Sequence, residues 1–190
     1  MSETLILEPT EAAQWHKLLQ QAEAEYGCFL DESMESYLVF TLMRYMKDRR
    51  LASQVVALDY LNARELPKSL RVDQLRNIGD QCLLLSGLYP KRAERRLVRV
   101  SYYVDIGRTA YQSISESMQK AVSDLYAQLA EAFVTLMDVL QTIRDFGSPA
   151  LQPIQSLELW SDSGSRRAFA SLSKGAFPLH EGLIDLTVKQ

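Results

Sequence analysis

Apolar residues recur along this 190-residue chain at spacings of three and four, and glycine, proline or charged breaks divide them into helix-length blocks. Trp15, Leu18, Leu19, Ala22 and Tyr26 predict a first helix over about 10–26, with Thr10 or Glu8 near its cap and Gly27 as its stop. Tyr37, Leu38, Thr41, Leu42, Tyr45 and Met46 predict a second over 31–46, with Asp31 as its cap. A third, about 51–64, turns Val55, Leu58 and Leu61 or Asn62 inward and ends before Pro67. In the fourth, about 69–88, Leu75, Ile78, Cys82 and Leu85 form one stripe, and Leu83 and Leu84 widen it until little polar surface remains after Gln81. A helix apolar on most sides belongs at the centre of a bundle.

The fifth helix is expected over 101–117, capped by Ser101, with Gly107 and Ala110 making a shallow strip where a neighbour can approach. The longest stripe, Val122, Leu125, Leu129, Ala132, Phe133, Leu136, Val139, Leu140 and Ile143, predicts one unbroken helix over 118–146. Two shorter helices follow, about 149–161 and 165–173, separated by a polar DSGS turn. Helix upon helix with short connections selects an all-α, single-domain bundle of six to eight helices over residues 9–174. Residues 1–8 read as an N-terminal arm and 175–190 as an extended tail, the β-prone LIDLTV lying along TLILE.

Composition narrows the class further. Hydrophobic residues at 47% and charged residues at 24% are ordinary for a folded globule. A net charge of −3 gives no general drive toward nucleic acid or an anionic membrane. No apolar run approaches the ~18 residues that a bilayer span needs. The opening MSETLILEPTEAAQW lacks the basic and apolar regions of a signal peptide. Cys28 and Cys82 stand far apart and read as two buried thiols in a reducing cytoplasm.

Metal and catalytic spacings are missing. No Glu or Asp stands three residues before His16 or His180, as a di-iron bundle would require. Neither a G-x-S-x-G elbow nor a GK[ST] phosphate loop occurs. His16 reads as a half-exposed surface histidine, and no cofactor is expected. Glu32 and Glu35 complement the dipole at the start of the second helix.

Asp80 is the informative acid, because it opens an almost continuous apolar run, GDQCLLL. A carboxylate near the core must be hydrogen-bonded, ion-paired or protonated. Its expected partners are Arg108, Tyr102, Tyr103 and Tyr111 of the fifth helix. Such a set acts either as an internal buckle between the two helices or as a ligand-binding pocket. Between the same helices, Lys91, Arg92, Arg95, Arg96 and Arg99 face Glu94 alone, forming a basic strip. That strip is read as a solvated face paired with acids of the first two helices, in preference to a nucleic-acid contact.

The stretch GDQCLLLSGLYP followed by YYVDIGRTAY resembles a group of bacterial helical proteins of unassigned activity. The matching positions are Gly79, Asp80, Gly87, Pro90, Tyr102, Tyr103, Gly107, Ala110 and Tyr111. The resemblance spans residues 79–111 and implies a helical fold without specifying chemistry. Taken together, these features point to a non-catalytic cytoplasmic binding or protein-interaction domain, whose partner is a second copy of the chain or another protein. The alternative is a small-molecule-binding, even enzymatic, pocket between the fourth and fifth helices.

Overall fold

The computed structural model describes residues 10–45, 56–63, 65–90, 98–146 and 152–174. Nine helices occur among them: α1 (Glu11–Tyr26), α2 (Glu32–Tyr45), α3 (Val56–Ala63), α4 (Lys68–Gly87), α5 (Val100–Ser117), α6 (Lys120–Glu131), α7 (Phe133–Asp145), α8 (Pro153–Ser163) and α9 (Arg166–Lys174). The described residues contain no strand, so the all-α bundle is what forms. The predicted arm, tail, Met46 and Val55 lie outside the described residues, as do Lys91, Arg92, Arg95 and Arg96.

Local chemistry sets most boundaries where the sequence places them. The Thr10 hydroxyl accepts from the Ala13 amide, and Gly27 closes α1 in the left-handed region at φ 75°. Asp31 caps α2, accepting from the Ser33 hydroxyl at 2.5 Å and the Met34 amide at 2.9 Å, and these bonds hold its carboxyl below the usual range. Helix α5 differs: Ser101 lies inside it, and Arg99 at the cap position supplies no side-chain bond.

The predicted helix over 118–146 is two helices, joined at Ala132 with φ −80° and ψ 3°. The first half packs on α5, and the second packs on α1 and α4. Each half therefore follows a different neighbour, which a single straight rod could not do. Val122, expected inward, is exposed as a result. Among the described side chains of α3, Val56 and Ala63 are buried, whereas Leu61 and Asn62 face solvent; the Leu58 side chain lies outside the described ones.

Helix α4 is central. Every residue from Ile78 to Gly87 is buried, and the helix packs against α3, α5 and α7. Its main partner is α5, with α7 next to it. Two glycines make this closeness possible. A Cβ on Gly79 would meet the Tyr111 ring at 2.3 Å, and one on Gly107 would meet Phe133 at 2.4 Å and the Cys82 Cβ at 2.9 Å. The strip expected at Gly107 and Ala110 thus receives Phe133 of α7 and Cys82 of α4.

Candidate functional site

Asp80 is 2% exposed, and its Oδ1 accepts two phenolic hydrogen bonds, from Tyr37 at 2.6 Å and Tyr111 at 2.8 Å. The bare backbone at Gly79 lets the Tyr111 ring lie across α4 and bring its hydroxyl to the carboxylate one residue on. Tyr37 arrives from α2. Tyr126 of α6 completes a ring of three tyrosines, with centroid distances of 6.1 Å (Tyr37–Tyr111), 5.9 Å (Tyr37–Tyr126) and 5.7 Å (Tyr111–Tyr126). Four helices therefore meet at one acid.

Burial pushes the Asp80 carboxyl up to about 6, while the bonds from Tyr37 and Tyr111 and the charges of Arg44 and Arg76 pull the other way. Burial, with the Asp80 charge added, lifts the Tyr37 and Tyr111 phenols far above their ordinary value. Both tyrosines consequently stay protonated and act as donors. A second polar link lies beside this one: Arg44 and Tyr45 of α2 donate to Asn77 Oδ1 of α4 at 2.8 and 3.3 Å.

The structure brings together two of the five residues expected here, Asp80 and Tyr111. Tyr103 is buried and meets the half-exposed Tyr102 edge-on at 5.5 Å, but neither donates to Asp80. Arg108 points outward into a separate cleft of about 270 Å³ with Gln112, Ser115, Ala127, Ala130 and Glu131. The reason is helical geometry. Tyr111 lies eight residues from Tyr103 on the buried face of α5, whereas Tyr102 and Arg108 belong to its outer side. The guanidinium expected to answer the Asp80 charge is replaced by two phenols and the more distant Arg44 and Arg76.

A second buried acid was not singled out from the sequence. Asp138 of α7 accepts from the Ser165 hydroxyl at 2.6 Å, the Tyr26 hydroxyl at 2.9 Å and the Arg167 amide at 3.3 Å. Burial raises its carboxyl, and these bonds with the Arg167 charge oppose the rise. Arg167 also donates to Thr142 Oγ1 at 2.8 Å and pairs with Asp145, which Arg144 holds from its other side at 2.7 Å. The signal was present in the string TLMDVLQTI, an acid inside an apolar stripe like that around Asp80.

Arg99, the described member of the basic strip, pairs with Asp162 at 3.3 Å and Glu158 at 3.9 Å, both on α8 and not on the first two helices. His16 pairs with Glu35 at 2.8 Å across α1 and α2. Cys28 and Cys82 are free thiols; burial raises both, Cys28 to about 11, and only Cys82 is fully enclosed. No helix among the described residues is long and apolar enough to cross a membrane.

Fold and site together define an all-α bundle fastened internally by two buried carboxylates, each held by tyrosine and neighbouring donors. Comparison with protein-family models, with curated proteins and with solved structures found no match.

Proposed function

We propose that this chain is a non-catalytic cytoplasmic protein-interaction domain, and that the outer face of α8 and α9 is its contact surface. One observation carries the reading. Ile154, Leu157 and Trp160 recur every third residue along α8 and are all exposed, Ile154 at 61% and Trp160 at 41%. Phe169 of α9, 49% exposed, lies with its ring 5.2 Å from that of Trp160. Scattered exposed apolar residues are ordinary, but side chains this large in one aligned group mark a surface that a partner covers. The Asp80 cluster supports the same reading by elimination of its own reactivity. Its Tyr37 and Tyr111 hydroxyls are both donated to the carboxylate.

A photo-activated crosslinking residue placed at Leu157, with the exposed Lys120 at the start of α6 as the control position, tests this in cells. Discrete protein adducts are expected from position 157 and not from position 120. An adduct with the mass of two chains identifies a second copy as the partner, and another discrete mass identifies a different protein. Equal labelling from both positions, or none from position 157, refutes the proposal.

A further inference from the structure

The α8–α9 hairpin is attached to the rest of the bundle in an unusual manner. Its buried residues are Ser156, Leu159, Ser165 and Ala168, two small hydroxyls and two apolar side chains. Of its larger apolar residues only Leu159 is buried; Leu172 is half-buried, and Ile154, Leu157, Trp160 and Phe169 face outward. Apolar burial therefore contributes little along this seam, and polar contacts hold its two ends.

At one end Ser101 donates to Asp162 at 2.9 Å, and Arg99 pairs with Asp162 and Glu158. These α8 carboxylates stand at the start of α5, where the cap residue supplies no side-chain bond and the helix dipole favours negative charge. At the other end Asp138, Asp145 and Thr142 of α7 hold Ser165 and Arg167. Ser165 also caps α9, accepting from the Ala168 amide at 3.0 Å. Between the two ends the Ser156 hydroxyl is buried with no hydrogen-bond partner among the described residues, a defect in the seam.

We infer that the α8–α9 hairpin is a releasable latch, which opens from the bundle as one unit while α4 and α5 stay folded. Opening would uncover Tyr26, Asp138 and the side of α5 and α7 on which Leu159 and Ala168 rest. The two helices move together because Trp160 packs on Phe169 and Gly164 joins them in a tight left-handed turn. The inference does not depend on what the outer face binds.

Hydrogen–deuterium exchange on the full chain tests it, read peptide by peptide. Amides of α8 and α9 are expected to exchange at a common rate, about tenfold or more faster than those of α4 and α5. Raising the salt to roughly 0.5 M screens the exposed Arg99 contacts and is expected to speed the hairpin by a few-fold more. Arg167→Gln removes the contacts to Asp145 and is expected to speed α8 and α9 again, with α4 and α5 unchanged. Hairpin exchange at the α4 rate overturns the inference, as do unrelated rates for α8 and α9. So does a variant that loses protection everywhere, because the contact would then support the whole bundle, or one that changes nothing.

Discussion

A single oxygen, Oδ1 of Asp80, receives two phenols, so each phenol can be removed while the other stays in place. Tyr111→Phe keeps the ring against Gly79 and Phe133 and deletes one donor to a buried anion. A hydrogen bond to a charged group is worth about 1.5–3 kcal/mol, and urea unfolding at neutral pH should show a loss of that order. The same variant should lift the Asp80 carboxyl further above 6, visible as a later midpoint in a carboxyl-carbon NMR titration. Arg108→Ala offers the contrast. Because Arg108 is exposed on α5 and lines a cleft away from Asp80, its loss should change stability by less than about 0.5 kcal/mol. An unchanged carboxyl midpoint in Tyr111→Phe would remove that bond from the account. Apolar context alone showed that Asp80 is buried. Its partner Tyr37, 43 residues away on another helix, carried no sign of that pairing in the local pattern.

Between elements, close approach at two glycines decides which helices touch. Gly107→Ala would drive a methyl group into the Phe133 ring and toward Cys82, both fully buried. Overpacking of this kind costs roughly 1–3 kcal/mol. If that contact is the cause, Phe133→Leu should give part of it back. A double-mutant cycle by chemical denaturation should then return a coupling above about 0.5 kcal/mol, whereas simple additivity would place the strain elsewhere. The sequence disclosed the strip at Gly107 and Ala110 but not its occupant. A 3.6-residue period identified which faces are buried, so α1, α2, α4 and α5 begin and end close to expectation. The break at Ala132 left no such trace. No glycine or proline marks it, and the apolar stripe runs through it without interruption. The bend comes from the two halves following different neighbours, and that information resides in the assembled bundle.

For the molecule as a whole, the buried acids set a direction for stability against pH. Asp80, Asp138 and a third buried acid, Glu23 of α1, all have carboxyls raised chiefly by burial. Each therefore holds its proton more tightly in the folded chain than in the unfolded one. Over the window between the ordinary value of 3.8 and about 6 for Asp80, the folded state carries more protons, and stability falls as pH rises through it. Asp31 has the opposite sign: its lowered carboxyl contributes stability above 3.8 that is lost only at more acid pH. It cannot offset the other three between pH 8 and pH 5. Linkage for Asp80 alone gives on the order of 1 kcal/mol more stability at pH 5 than at pH 8, with Asp138 and Glu23 adding in the same direction. Denaturant unfolding at the two pH values measures the difference directly. In Asp80→Asn the side-chain oxygen can still accept from both tyrosines, but it no longer titrates, so that part of the difference should vanish. A bundle more stable at pH 8 than at pH 5 would mean that the carboxylates are held as favourable anions. The four-helix junction would then be stabilised by its charge, where the geometry of two neutral phenols on a buried acid has it tolerating that charge.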